Sequence, residues 1–462
     1  MRLVCVYLCI LLCFLANAQE VYLEKAVLID SIPVTGSKGE NFALYLPREY
    51  ESDEESFVVF IFDPAARGAI GIKPFIPAAD KYNLILVCSN NSKNGPFENN
   101  LQITDRLFNH IFSNLRIAEY GIYTAGFSGG SRLAVTIAVL TNLIQGVIGC
   151  GAAFSGSNSH FPSMESSFSY AGLVGDRDMN YREMQRAGRW LNTMKIENEI
   201  FIYDDHHRWP PAEQLLKAFG WLELQAYKKG IKPIDNTIVK DGFKELYEEA
   251  RELEKKGNIS QAIMEYERIT RNFSSYYNTD SLEVKISDLK KSKLYRKATK
   301  NFKQLARLED TLSLKFSKRY HKEVALGKSR DDFKWWNKQL NKLDANYINS
   351  SNESMQKMGQ RLRYQLFALT IESFDGYIRN KNEVKAIYAA QLLEVQDRKN
   401  PFYHFRLASG FAKLGLSEKV LYHTELALIY GWDSSRFLKN SKDFESIRKN
   451  PKFIKVLERF PN

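Results

Sequence analysis

Two kinds of hydrophobic pattern divide the chain. In the first half, short apolar runs alternate with helix-length amphipathic segments. Seven runs have the length and composition of strands: 41–46, 56–62, 84–88, 121–125, 146–154, 170–174 and 199–203. Helix-like segments occupy 101–115, 132–143, 181–194 and 211–228. Several runs are apolar on both faces, as in strands that helices cover on both sides. The alternation predicts an α/β fold with a mostly parallel sheet.

The second half is predicted to be all-helical. It contains no proline between Pro233 and Pro401 and is rich in Lys, Glu, Leu and Tyr. Helix pairs are predicted at 240–256 with 260–272, at 402–414 with 417–430 and, less regularly, at 358–377 with 383–396; a long basic helical stretch covers 280–325. Small residues such as Ala250 and Ala408 lie where two helices of a pair would cross. The pairs resemble tetratricopeptide repeats. A plain helical bundle is the alternative interpretation.

The first residues have the pattern of an export signal. Arg2 is followed by an apolar stretch from Leu3 to Leu15, and Ala16-Asn17-Ala18 is a small-x-small cleavage site. The apolar stretch is too short for a permanent membrane span. We therefore predict a signal peptide at 1–18, an α/β domain at 19–235 and a helical domain at 236–462, with a secreted or periplasmic location. An N-terminal anchor that stays attached is the alternative.

Charge supports the division into two parts. The chain has 462 residues, of which 26% are charged and 44% hydrophobic, a globular composition. Residues 19–235 carry 20 Lys+Arg against 25 Asp+Glu, whereas residues 236–462 carry 44 against 29. The basic part favours a protein partner or an anionic polymer. Nucleic acid is not expected, because the positive charge is spread over helical faces and the chain carries an export signal.

A glycine-rich turn carries the strongest chemical signal. The segment Gly126-Phe127-Ser128-Gly129-Gly130 follows an apolar strand and precedes an apolar helix. A G-x-S-x-G segment in that setting holds a nucleophilic serine on a tight turn, whose near neighbours must lack side chains. We predict that Ser128 is a nucleophile. A glycine-rich turn with an unreactive serine is the alternative.

A serine hydroxyl needs a base, and the base needs a carboxylate to orient it. Asp176 and Asp178 follow the strand at 170–174, while His206 and His207 follow the strand at 199–203. Each group lies just past the C-terminal end of its strand, where open α/β sheets place their sites. Position alone leaves both acids and both histidines open.

The first 235 residues resemble the α/β-hydrolase superfamily, specifically the esterases that include polyhydroxybutyrate depolymerases and feruloyl or acetyl-xylan esterases. The resemblance rests on Tyr45-Leu46-Pro47, Gly126 to Gly130, Gly175-x-x-Asp178 and His207-x-Trp209-Pro210. It implies a catalytic triad in the chain order Ser128, Asp178, His207, with Asp176 and His206 as the alternatives.

The resemblance also implies an oxyanion hole built from backbone N–H groups. Gly129 should supply one. The second should come from the loop after the strand at 56–62, where the family has a His-Gly motif. Here the loop begins Asp63-Pro64-Ala65-Ala66, and because proline has no N–H, Ala65 or Ala66 must donate.

The same resemblance bears on the substrate and the cysteines. About 23 residues separate the strand ending at Phe154 from Asp178, which leaves no room for a large lid, so we expect an open site for short-acyl or polymer-linked esters. The family's strand order puts Cys88 and Cys150 about three strands apart, or roughly 14 Å. That exceeds the reach of a disulfide, so we predict two free, buried thiols.

The functional hypothesis is an exported carboxylesterase that cleaves short-acyl or polysaccharide-linked esters, with a helical domain that binds a partner or the polymer. The alternatives are an inactive hydrolase scaffold that acts as a binding protein, and a serine peptidase. No cofactor is expected. The seven histidines show no metal-ligand spacing, so no metal is expected either.

Overall fold

The computed structural model describes residues 24–432 and 435–460. The signal-peptide prediction lies outside the described residues. Two compact units form: the first extends to Asp176 and resumes over Asn180–Lys285, and the second comprises Arg177–Met179 and the chain from Ile286 onward. The domain boundary at 235/236, where the charge changes, stays a prediction.

The first unit is built on an eight-stranded sheet with the order β1-β2-β4-β3-β5-β6-β7-β8. The strands are β1 (Leu28–Pro33), β2 (Asn41–Tyr45), β3 (Ser56–Phe62), β4 (Leu84–Ser89), β5 (Ile117–Phe127), β6 (Gly146–Cys150), β7 (Ser169–Gly175) and β8 (Asn198–Tyr203). β2 pairs antiparallel with β1 and β4, and the other pairings are parallel. The predicted α/β fold with a mostly parallel sheet is therefore confirmed.

The seven predicted strands are β2 to β8, and β1 is the strand that the pattern missed. Only one of its six residues LIDSIP is fully buried, because β1 lies at the sheet edge. A register shift between Ile29 and Ile32 and a positive φ of 63° at Ser31 interrupt its alternation further. An edge strand with a bulge has no clean two-residue period to recognise.

Helices cover both faces of the sheet. They are α1 (Gly68–Ile72), α2 (Ile76–Tyr82), α3 (Phe97–Asn114), α4 (Gly129–Thr141), α5 (Tyr181–Thr193) and α6 (Ala212–Lys228). Alternate residues of β3 enter two separate cores: Phe60 packs in the core that contains Leu107 of α3, and Ile61 packs in the core that contains Phe219 of α6. Burial on both faces explains why the strand sequences are continuous apolar runs.

The next two helices also belong to the first unit. They are α7 (Asn236–Lys255) and α8 (Ile259–Phe273), which pack as a pair around a turn where Gly257 has a φ of 77°. The buried Arg268 of α8 forms a salt bridge of 3.3 Å with Glu199 of β8, and its guanidinium also lies over the Phe201 ring. The pair therefore packs against the sheet unit, although the composition changes before it.

The remaining chain is helical. The helices are α9 (Asp280–Lys291), α10 (Lys293–Leu326), α11 (Lys334–Leu343), α12 (Glu353–Arg379), α13 (Glu383–Gln396), α14 (Pro401–Lys413), α15 (Ser417–Ile429), α16 (Ser435–Asn440) and α17 (Pro451–Glu458). α12 packs with α13, and α14 packs with α15. The predicted helical pairs thus exist, while their assignment as tetratricopeptide repeats stays a prediction. Among the described helices, none has both the length and the apolar character to cross a bilayer.

Candidate active site

Ser128 stands on a strained turn between β5 and α4. Its φ of 54° and ψ of −118° lie outside the regions that side-chain-bearing residues usually adopt. Its N–H donates to the Cys150 carbonyl at 2.8 Å. A Cβ on Gly126 would lie 2.2 Å from the Gly130 carbonyl oxygen, and a Cβ on Gly130 would lie 1.9 Å from that of Phe62. Backbone crowding therefore requires both glycines, as the pattern predicted.

His207 is the histidine that the structure brings to this turn. Its Nε2 lies 3.0 Å from Ser128 Oγ, and its ring lies 4.6 Å from the Phe127 ring. His206, by contrast, is exposed. A neutral imidazole whose Nε2 accepts from the serine carries its proton on Nδ1. The pair thus has the hydrogen-bond geometry of a nucleophile and its general base.

Trp209, two residues after His207, anchors the histidine loop. Its indole N–H donates to Asp63 Oδ2 at 2.9 Å. Its ring also packs 5.4 Å from that of Phe127 and 5.6 Å from that of Phe75. The tryptophan of the H-x-W-P segment therefore ties the loop after β8 to the loop after β3.

Close backbone packing joins the end of β7 to the same histidine loop. A Cβ on Gly175 would lie 2.3 Å from the carbonyl oxygen of Asp205 and 2.9 Å from that of His206. Asp176 N–H donates to the Tyr203 carbonyl at 2.8 Å. Only a glycine fits such an approach, which explains the first position of the G-x-x-D segment.

Asp178 follows three residues after that glycine. It is 1% exposed, whereas Asp176 is half-buried. By its contacts, Asp178 lies in the three-residue segment that belongs to the second unit. The assignment of Asp178 as the triad acid stays a prediction.

The predicted oxyanion donors differ in their bonding. Gly129 is the first residue of α4, so its N–H has no acceptor within the helix. The Ala65 N–H donates to Asp63 Oδ1 at 2.8 Å, and the Ala66 N–H donates to the Asp63 carbonyl at 3.1 Å. Either alanine would have to give up a bond to Asp63 in order to bind an oxyanion.

Asp63 is a buried carboxylate that the sequence did not single out. Burial would raise the pKa of Asp63, but hydrogen bonds from Arg67, Trp209 and the Ala65 N–H together hold that pKa below its ordinary value. Arg67 donates through two nitrogens, at 3.0 and 2.9 Å. Asp63 is therefore an ionised centre that organises the loop after β3.

Asn94 is a second residue that the sequence analysis missed. Its N–H donates to the Pro64 carbonyl at 2.9 Å, and its carboxamide packs against Gly129. A Cβ on Gly129 would lie only 1.8 Å from Asn94 Oδ1. Asn94 lies in a loop without a recognisable motif, so no sequence signal points to it.

An ion pair between α4 and α5 lies close to the Ser128 turn. Arg132 of α4 donates to both carboxylate oxygens of Glu183 of α5, at 2.7 and 3.0 Å. Glu183 also accepts from the Ala153 N–H at 3.0 Å, and Arg132 donates to the Phe154 carbonyl. The pair therefore fixes the segment that directly follows β6, whose last residue, Cys150, accepts the Ser128 N–H bond.

The cysteines agree with the prediction. Cys88 and Cys150 are free and buried. They lie on β4 and β6, with β3 and β5 between them in the sheet. Burial raises the pKa of both thiols, so neither is an activated nucleophile.

The sequence matches no family model and no curated protein. Solved structures of similar fold include an S-formylglutathione hydrolase from Staphylococcus aureus, at 11% identity over 42% of this chain and 96% of that chain, with a TM-score of 0.35. A mutant feruloyl esterase module from Clostridium thermocellum, complexed with sinapinate, is 12% identical over 44% and 90%, with a TM-score of 0.35. An esterase from Pyrobaculum calidifontis is 13% identical over 45% and 87%, with a TM-score of 0.36. At these values, function has to come from the geometry of the site.

Proposed function

We propose that the protein is a serine hydrolase of the α/β-hydrolase type that acts as a carboxylesterase. The observation that carries the proposal is the distance of 3.0 Å between Ser128 Oγ and His207 Nε2 on a strained strand-to-helix turn. Such strain persists only where the surrounding structure enforces it, and it is common at catalytic centres.

In the proposed mechanism, Ser128 Oγ attacks the ester carbonyl while His207 Nε2 takes the hydroxyl proton. His207 then gives that proton to the leaving alcohol, and water repeats the sequence to release the acid. Asp178 accepts from His207 Nδ1–H, which holds the tautomer and stabilises the imidazolium. Its burial and its place after β7 support this role.

The tetrahedral oxyanion is bound by the Gly129 N–H and a second donor. Asn94 Nδ2 is the better candidate for that donor, because the Ala65 and Ala66 N–H groups bond to Asp63. The Asn94 carboxamide lies beside Gly129 with Oδ1 nearest, so a rotation of the amide would have to aim Nδ2 at the oxyanion. Removal of one oxyanion donor lowers kcat by about 10²- to 10³-fold. Asn94→Ala should therefore lower kcat with little change in KM. An unchanged kcat would return the role to Ala65 or Ala66, whose N–H would then have to leave Asp63.

The proposed substrate is a short-acyl or polymer-linked ester. Between β6 and β7, the chain forms a single short 3₁₀ turn at Asn158–His160, and no helical lid occurs among those residues. In the second unit, Arg296, Lys300, Lys303 and Arg307 line a cavity of about 480 Å³ along α10. We propose that this basic face binds an anionic polymer or a protein partner, and that the chain is exported through its N-terminal segment.

A catalytically inactive scaffold is the second candidate. The observation in its favour is that Asp63 occupies the N–H groups of both Ala65 and Ala66. An esterase needs a polarising donor there or at Asn94. If neither forms, the fold remains intact and the turn does not hydrolyse esters.

Labelling with a fluorophosphonate tests the proposal. The wild-type chain should label at Ser128 and hydrolyse short-acyl aryl esters, and Ser128→Ala should lose both activities by several orders of magnitude. Adjacent residues provide matched controls: His207→Gln and Asp178→Asn should lower kcat by about 10⁴-fold, whereas His206→Gln and Asp176→Asn should keep it. A folded wild-type chain that neither labels nor turns over would support the inactive scaffold.

A further inference from the structure

Three metal-binding side chains meet inside the second unit, far from the Ser128 turn in sequence. Glu394 lies on α13, His404 on α14 and His423 on α15. Each offers one ligand atom, and these atoms all lie within 4.8 Å of one another. His404 is fully buried, and His423 is 5% exposed. Because the three residues come from three different helices, no local spacing in the sequence announces them.

The histidine geometry fits a metal. His404 Nδ1 lies 3.1 Å from His423 Nδ1. Two nitrogens bound to one tetrahedral Zn²⁺ at about 2.0 Å each are about 3.3 Å apart. A shift of a few tenths of an ångström would therefore admit the ion. We propose that Glu394, His404 and His423 bind a divalent transition-metal ion, with Zn²⁺ as the best fit.

A hydrogen bond outside the cluster orients His404 for this role. Its Nε2 lies 2.8 Å from the carbonyl oxygen of Arg398. A carbonyl only accepts, so Nε2 carries the proton and Nδ1 keeps its lone pair. That lone pair faces the other two residues. Metal-binding histidines usually have such a second bond from the other ring nitrogen.

The other two ligands are also suited to a cation. Glu394 Oε1 is buried and has no hydrogen-bond partner among the described residues. A buried carboxylate oxygen without a partner is costly, and a metal ion would satisfy it. His423 is 5% exposed, so its ring lies in the same buried cluster.

The ligand atoms select the kind of metal. Mg²⁺ and Ca²⁺ require oxygen ligands, whereas imidazole nitrogen suits Zn²⁺ and related metals. Three protein ligands leave a fourth position for water, and the bound ion would join α13, α14 and α15.

The test uses the untagged chain after removal of metal with EDTA. Dialysis against buffered Zn²⁺, followed by elemental analysis, should give one Zn²⁺ per chain. At 100 times its dissociation constant, Zn²⁺ should raise Tm by roughly 5–10 °C. His404→Gln and His423→Gln should weaken binding by about 100-fold or more. His321→Gln, which changes an exposed histidine of α10, should bind as wild type.

A spectroscopic measurement on the wild-type protein tests the site even if the histidine variants fail to fold. Co²⁺ should give wild-type protein the intense visible absorption of a tetrahedral site, and Glu394→Gln should change that spectrum while His321→Gln leaves it intact. Substoichiometric Zn²⁺ in the wild type, without the Co²⁺ band, would overturn the proposal. The two histidines would then be a hydrogen-bonded pair only. Neither outcome depends on whether Ser128 is catalytic.

Discussion

The contact between Asn94 and Gly129 can be tested by adding one methyl group. In Gly129→Ala, the new Cβ would lie 1.8 Å from Asn94 Oδ1, whereas ordinary contacts begin at about 3.4 Å. The carboxamide therefore has to move by more than an ångström or the turn has to distort. Gly129 has no positive φ, so the backbone itself tolerates alanine.

The expected magnitude follows from two opposing effects. Asn94 is exposed and its carboxamide ends a flexible side chain, so moving it should cost only the lower end of the about 1–3 kcal/mol that overpacking costs in a core. The loss of glycine's backbone freedom in the unfolded chain returns about 0.4–1 kcal/mol. Gly129→Ala should therefore destabilise the protein by less than about 1 kcal/mol, a fall in Tm below roughly 4 °C for a domain of this size.

A double-mutant cycle isolates the contact. Asn94→Ala removes the carboxamide, so in the double variant the steric cost of the alanine at 129 should be gone, giving a coupling energy of about 1 kcal/mol. Urea unfolding followed by tryptophan fluorescence measures all four proteins. Gly130→Ala is the matched control, because its Cβ would meet the Phe62 backbone oxygen at 1.9 Å and no side-chain change can relieve that clash. Additive effects of Gly129→Ala and Asn94→Ala would refute the reasoning.

Three further predictions follow from buried groups. Asp63→Asn should cost about 1–3 kcal/mol, because the amide keeps one acceptor oxygen and either the Trp209 indole N–H or the Ala65 N–H loses its acceptor. Since the pKa of Asp63 is lowered in the folded protein, the stability difference between wild type and variant should be constant above about pH 5 and shrink as pH falls below about 4. Urea unfolding midpoints measured across this pH range check the prediction, and a difference that grows in acid would contradict it. Cys88 and Cys150 should resist a thiol reagent in the native protein and react fully after unfolding, so rapid native labelling would contradict their burial. In the second unit, Glu309→Ala should cost about 3–5 kcal/mol, because it leaves Arg361 buried without the two carboxylate bonds at 2.7 and 2.6 Å. The double variant Glu309→Leu with Arg361→Met should be nearly neutral in thermal unfolding. Equal losses of stability in the two variants would refute the ion-pair account.

The sheet was predictable because its strands are buried on both faces. An apolar run such as the one that forms β3 is typical of a strand buried on both faces. The glycines around Ser128 indicate a tight turn that other residues cannot form. The short helices α1 and α2, by contrast, follow β3 without a full amphipathic period, so the pattern gave no helix there.

The site was predictable where chemistry and backbone strain coincide, and it was not predictable where single side chains meet across loops. Ser128 and His207 stood in short motifs, and the structure places them at hydrogen-bond distance. Asp63 and Asn94 lie in loops whose sequence carries no period and no motif. Both residues matter because of their contacts, and a contact between loops about 30 residues apart gives no signal in a single sequence.

Asp63 has a structural role that conflicts with the use of the Ala65 N–H as an oxyanion donor. Its carboxylate holds Trp209, and through it the loop that presents His207, so the base depends on Asp63 being ionised and in place. The same carboxylate accepts the Ala65 N–H, which the resemblance would assign to the oxyanion. One group cannot release Ala65 without weakening an arrangement that also positions His207. For this reason we propose Asn94 Nδ2, on the carboxamide beside Gly129, as the second donor of an active enzyme.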